Sequence, residues 1–194
     1  MQDTRPVPLT IGQPAPNFEG LLSVDGRTAS LSSFAGKQAI IIVFMANRCT
    51  AAQAYVGRMI ALQDAYGGRG MQLVAINSDS PSQNPSESYL EMIEMSERRG
   101  FNFPYLKDVE GAVARAYGAQ LTLHAFLLDQ GRILRYRGRI DDSPNAAFVT
   151  TNDLRNALDD VLAGREVAVP ETAPFPCGID KFVSCPSCGS RLES

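Results

Sequence analysis

The chain has 194 residues, a mass of 21.0 kDa, 44% hydrophobic and 20% charged residues, and a formal net charge of −3 with a pI near 5.2. That length suits one domain, or one domain with a short appendage, and the composition excludes a disordered chain, a collagen and a coiled coil. The longest apolar run, Ala39 to Ala46, is 8 residues, against roughly 20 for a helix that crosses a bilayer, so no membrane association is expected. The acidic balance argues against a nucleic-acid partner. Met1 to Pro8 shows no basic patch followed by an apolar stretch. No signal peptide is expected there, and the cytoplasm is the expected location.

The stretch to about Gly36 is loop-rich, with Gly12, Pro14 and Pro16 as punctuation. Within it Val24-Asp25-Gly26-Arg27 reads as a hairpin turn, because Asp-Gly supplies the positive φ that a tight turn needs. Gln38 to Met45 is almost continuously apolar and rich in Ile and Val, the pattern of a strand buried on both faces. Thr50 to Tyr66 is expected to be helical: Tyr55, Met59, Leu62 and Tyr66 share one face, and Gly67, Gly68 and Gly70 end it.

Met71 to Asn77 follows as a second buried strand, Ser78 to Ser86 as a polar loop, Glu87 to Arg99 as a helix stopped by Gly100, and Glu110 to Tyr117 as a short helix stopped by Gly118. Leu121 to Leu128 and Ile133 to Ile140 read as antiparallel strands about the Asp129-Gln130-Gly131 turn. Asn152 to Ala163 is the last helix, with Thr151 as its cap and Gly164 as its stop. Strand–helix alternation implies a parallel pair, to which the hairpin adds antiparallel strands. Residues 1–164 are thus expected to form one α/β domain. Residues 165–194, with Pro170, Pro174 and Pro176 and little apolar mass, form an extended arm. Arg132, Arg135, Arg137 and Arg139 fall within this pattern as one solvent-facing edge.

Of the four cysteines, Cys49 lies between the first buried strand and the first helix, whereas Cys177, Cys185 and Cys188 lie in the last 18 residues. A secreted disulfide framework would spread its pairs through the chain. At a helix start, unpaired amides and the helix dipole concentrate partial positive charge. A thiolate is stabilised there, Arg48 adds a neighbouring cation, and such a thiolate attacks disulfides and peroxides. A buried, inert cysteine is the alternative that position alone leaves open.

Several segments carry a resemblance. Gly12-Gln13-Pro14-Ala15-Pro16-Asn17-Phe18, the strand–Cys49–helix junction, Gln72 to Ser78, Gly100 to Leu106, Tyr136 to Asp142, and Val169 to Thr172 with Cys177 resemble the alkyl hydroperoxide reductase/thiol-specific antioxidant (redoxin) branch of the thioredoxin-like superfamily. The last three of these segments also resemble a bacterial subgroup with a single active-site cysteine. The resemblance spans about residues 10 to 180. It implies a thioredoxin-like fold: a central mixed sheet flanked by helices, with an N-terminal hairpin and an extended C-terminal arm. It also implies thiol redox chemistry on protein or small-molecule thiols and disulfides. Cys49, Arg48 and Thr50 would then be catalytic, and Thr122, Leu123 and His124 would form the substrate-binding loop.

Three departures qualify it. Ala52 stands where Cys-x-x-Cys proteins carry a second thiol, Thr50 stands where redoxins commonly have Pro, and Leu123 follows Thr122 where the superfamily has a cis-Pro. A cis bond before Leu is disfavoured by about 2 kcal/mol or more relative to one before Pro, so that loop is expected to be trans or differently built. The peroxiredoxin pattern Pro-x-x-x-Thr/Ser-x-x-Cys is absent before Cys49.

His124, the one histidine, sits in that loop, where either a thiolate–imidazolium contact or an ordinary strand position is open. No organic cofactor is expected, for want of a Gly-rich phosphate loop. Cys185-Pro186-Ser187-Cys188 reads three ways: a zinc knuckle, with Cys185 and Cys188 as ligands; resolving thiols for Cys49, together with Cys177; or an inert terminus. The opposing functional reading is a thioredoxin-like binding module without catalysis, whose tail binds zinc or a partner. Nothing in the sequence fixes the oligomeric state.

Overall fold

In the computed structural model of the chain, residues 9–174 are described. Leu21–Ser23 (β1) and Thr28–Ala29 (β2) form the hairpin expected around Asp25-Gly26. Gly26 takes φ +79° and the Asp25 carboxylate accepts the Arg27 N–H at 3.1 Å, a local bond that favours the turn. Ala39–Phe44 (β3) is buried along its whole length. Thr50–Tyr66 (α1) and Met71–Asn77 (β4) follow with the boundaries read from the sequence; Gly67 caps α1, and Gly70, at φ +88°, closes the short 3₁₀ turn after it.

Tyr89–Arg99 (α2), Tyr105–Lys107 (β5), Ala112–Tyr117 (α3), His124–Asp129 (β6), Leu134–Gly138 (β7) and Asp153–Leu162 (α4) complete the elements among the described residues. The sheet order is β2-β1-β5-β4-β3-β6-β7. β3 pairs parallel with β4 and antiparallel with β6, and β4 pairs parallel with β5. The fold is the thioredoxin-like α/β architecture.

Because side chains alternate along a strand, β3 feeds two cores. Ala39, Ile41 and Val43 face a layer that contains α1, α2 and α4. Ile40, Ile42 and Phe44 face α3 and the N-terminal residues Leu9, Phe18, Leu31 and Phe34. At about 25 cal/mol per Å² of apolar area removed from water, these two layers supply the main driving force for the fold. They also fix the end of β3 from which the candidate thiol projects.

Several expectations change. β5 was not foreseen. It is three residues long, and Pro104 precedes it, so it lacks the length and alternation that mark a strand. α2 begins at Tyr89 with Ser88 as its cap, and Glu87 lies outside it in a short 3₁₀ turn. β6 begins at His124 rather than Leu121, because Leu121 to Leu123 form a turn. The residue before α4 is Asn152, not Thr151.

The arginine run is engaged rather than simply solvated. Arg132 donates to the Phe34 carbonyl at 2.6 Å. Arg135 pairs with Asp129, Arg137 with Glu171 and Arg139 with Asp153.

Beyond Gly164 the arm runs back along β7. The Arg137 N–H donates to the Pro170 carbonyl at 3.0 Å and the Thr172 N–H to the Arg137 carbonyl at 3.1 Å, a parallel bridge between Arg137 and Glu171. Gly138 permits this approach. Its φ is +147°, and a Cβ there would lie 2.5 Å from the Thr172 carbonyl oxygen. The Thr172 hydroxyl also meets the Tyr136 hydroxyl at 2.6 Å and accepts the Arg139 N–H at 3.1 Å.

Candidate active site

Cys49 is the N-cap residue of α1, with extended backbone (φ −67°, ψ 113°). Its carbonyl accepts the Gln53 N–H at 3.0 Å and so begins the helix. The placement read from the sequence is therefore observed: the cysteine stands at the start of a 17-residue helix, where helix partial charge is positive. Its burial is the one that position alone left open as the alternative. The residue is 5% exposed and belongs to the core layer that holds Met45, Ala46, Ala52 and Leu123.

The turn ahead of Cys49 is tied down at every polar atom of Asn47. Its N–H donates to Glu87 Oε2 at 2.8 Å, its Nδ2 to the Ser86 carbonyl at 2.9 Å, its Oδ1 accepts the Tyr105 hydroxyl at 2.8 Å, and its carbonyl accepts Gln53 Nε2 at 2.8 Å. The Arg48 N–H donates to Glu87 Oε1 at 2.8 Å. The Arg48 side chain is exposed, and its backbone N–H is the group that joins the hydrogen bonds of the turn. Thr50 opens α1 and is exposed.

Behind the turn lies a buried polar network that the sequence reading missed. Asn77 Nδ2 donates to Glu87 Oε2 at 2.7 Å and to the Tyr105 hydroxyl at 3.1 Å. Lys107 Nζ donates to Asn77 Oδ1, the Asp79 carbonyl and the Glu87 carbonyl at 2.9, 2.7 and 2.8 Å. Burial pushes the Glu87 carboxyl above its ordinary range, opposed by the N–H donors and by the Lys107 charge. Burial likewise raises the Tyr105 hydroxyl well above its usual value. A signal existed in the sequence: Asn77, Asp79, Glu87 and Lys107 flank strands that are otherwise apolar. Helical periodicity drew Glu87 into α2 instead.

The Thr122–His124 loop packs against the end of β3, with the Leu123 N–H donating to the Phe44 carbonyl at 2.6 Å. The described residues contain no cis peptide bond, and Leu123 takes φ +65° instead, a conformation uncommon for a bulky side chain. The Thr122 hydroxyl is buried with no hydrogen-bond partner.

Of the two readings open for His124, strand alternation favours the ordinary strand position. Leu123, Ala125 and Leu127 lie on the Cys49 side of the sheet, whereas Phe126 belongs to the opposite layer, and His124 stacks on Phe126 with ring centroids 4.3 Å apart. Burial, aided by the Arg137 charge, lowers the His124 pKa to about 4, so at neutral pH the ring is uncharged. An open pocket beside it is lined by Arg137 of β7 and by Glu171, Thr172 and Pro174 of the arm.

Cys177, Cys185 and Cys188, with the zinc and resolving-thiol readings that depend on them, lie outside the described residues. Among the described residues no cluster of three or more His, Cys, Asp or Glu could hold a metal ion, and no helix is long and apolar enough to cross a membrane.

The sequence is 28% identical over 150 residues to the thioredoxin peroxidase of Echinococcus granulosus, covering 74% of this chain and 72% of that protein. The structure is similar to that of a hypothetical protein from Sinorhizobium meliloti 1021, with a TM-score of 0.84, 34% identity, and coverage of 92% of this chain and 97% of that one. Peroxidoxin BcpB from Mycobacterium tuberculosis shares the fold at a TM-score of 0.57 and 19% identity, over 80% of this chain and 95% of that one. Residues 11–137 match the AhpC/TSA family, and with the strand–cysteine–helix junction in its place, the chain belongs to that family of thioredoxin-like proteins.

Proposed function

We propose that the protein is a thiol-based redox protein in which Cys49 is the nucleophile. The substrate is a protein or small-molecule disulfide, with a hydroperoxide as the less favoured oxidant. The observation that carries this reading is the position of Cys49 as N-cap of α1, at the end of the central strand, in a chain of the AhpC/TSA family. The name of the Echinococcus granulosus relative supports it.

The Cys49 thiolate attacks one sulfur of the disulfide. A new S–S bond forms, the old one breaks, and the second sulfur leaves as a thiolate. A further thiolate then resolves the mixed disulfide: attack on the substrate sulfur releases the Cys49 thiolate, whereas attack on Cys49 Sγ expels the substrate thiolate and leaves Cys49 bonded to the attacking sulfur. Ala52 carries no thiol, so this second group is an external thiol or one of Cys177, Cys185 and Cys188.

Burial of Cys49 favours a second reading, a binding module without catalysis. Mass spectrometry after a mild oxidised-glutathione challenge separates the two. The redox reading expects Cys49 to react first and to be recovered as a mixed disulfide or bonded to a tail cysteine. A Cys49 that stays reduced while the tail thiols react would leave the binding module.

A further inference from the structure

Two buried charges, Glu87 at 1% exposure and Lys107 at 5%, stand behind the turn that carries Cys49. Ionisable groups are seldom buried so completely. Removing an ion pair from water is costly enough that apolar side chains of similar volume often serve stability as well. The distinctive work of Glu87 lies elsewhere. Forty residues along the chain from Asn47, it offers one oxygen to each of two consecutive backbone amides, Asn47 N–H and Arg48 N–H, both at 2.8 Å. The ionised carboxylate fits this arrangement best, since both oxygens accept freely, whereas an amide presents its NH₂ to one of the donors and a protonated acid accepts more weakly at its hydroxyl oxygen. Cys49 follows this turn directly and is 5% exposed, in a layer with Met45 and Ala46, which lead into the turn, and with Ala52 and Leu123, too covered for a bulky disulfide to reach.

We infer that Glu87 is a latch on the active-site turn: its carboxylate holds Asn47 and Arg48 in the conformation that covers Cys49, and its release opens Cys49 to bulky sulfur substrates. This rests on Cys49 as the reacting thiol and adds a regulation of that site. Protein disulfides, which need the largest opening, are the substrates most affected.

Protonation of Glu87 releases the latch as substitution does. The groups that bear on it are Lys107 and Tyr105 of β5, Asp79 and Asn77 at the end of β4, and Arg48 on the turn. Lys107 opposes protonation, and burial favours it. Opening is therefore promoted in mild acid, above the pH at which an exposed glutamate titrates.

The test is maleimide labelling of the full chain at pH 7.5, with the rate read separately for each cysteine by peptide mass spectrometry, in the wild type and in Glu87→Gln. The latch predicts that Cys49 labels about tenfold faster in the variant, the change expected from losing one charge-assisted hydrogen bond, with the tail cysteines unaffected. Unchanged or slower labelling of Cys49 in a folded variant overturns it.

Should Glu87→Gln fail to fold, wild-type NMR decides. The Asn47 and Arg48 amide proton shifts should titrate with the Glu87 carboxyl carbon at one shared midpoint, and amides that ignore that titration overturn the latch. The two proposals fail separately. A Cys49 that never forms a mixed disulfide but labels faster in Glu87→Gln defeats the redox reading and retains the latch, and a reactive Cys49 indifferent to Glu87 does the reverse.

Discussion

Thr122 and Leu123 hold the least comfortable backbone near the candidate site. The Thr122 hydroxyl is buried without a partner, and a buried hydroxyl with no hydrogen bond is a net cost of order 1–3 kcal/mol. Thr122→Val keeps the branched shape and removes the orphaned oxygen. The expected outcome is a chain more stable by about 1 kcal/mol in urea denaturation; a destabilised variant would mean the hydroxyl has a partner in solution. Leu123 adjoins it at φ +65°, and such strain is held only where neighbours determine the conformation. Here the 2.6 Å bond to the Phe44 carbonyl does so. The sequence showed that this loop departs from the Thr-Pro pattern. The positive φ that Leu123 adopts depends on where β3 ends and was not visible there.

Among the elements, α1 and the arm are positioned by groups distant in sequence. Asp141 accepts the Tyr55 hydroxyl at 2.7 Å and Arg58 Nη1 at 2.6 Å, fastening α1 to the segment after β7. The arm depends on Gly138, whose lack of a side chain lets Thr172 approach. Gly138→Ala forces a Cβ into the Thr172 backbone and strains a glycine φ. Limited trypsin digestion should show faster cleavage after Arg165, whose side chain is exposed, with the helices and sheet retained by circular dichroism. Equal cleavage rates would show that the arm is held without this contact. The helices and their glycine stops could be read from periodicity. The arm's pairing could not, since Pro170 to Thr172 carries no strand pattern.

For the whole molecule, His124 sets part of the acid response. Its pKa is about 4 in the folded chain against about 6.5 when exposed. The unfolded chain therefore binds the proton more readily, and the stability associated with neutral His124 is complete above pH 6.5 and is lost as pH falls towards 4. Two and a half units correspond to about 3 kcal/mol as an upper figure. His124→Gln should flatten the fall in urea midpoint between pH 7 and pH 4.5, and an undiminished fall would assign it to other groups. Glu87 acts oppositely: its raised pKa favours the fold at low pH, and that contribution is lost as pH rises through its folded value.

The amino-acid order by itself determined the alternation of strands and helices, the burial of β3 on both faces and the seat of Cys49 at the head of α1. Hydrophobic period, glycine stops and turn chemistry are local, and they act within a few residues of where they are written. Tertiary structure decided the rest. It placed β5 beside β4, turned His124 to the face away from Cys49, laid the arm along β7, and carried Glu87 across forty residues to the amides of Asn47 and Arg48. Each of these depends on which backbone groups are left unpaired once the sheet has formed, and that is settled only when segments remote in the chain meet.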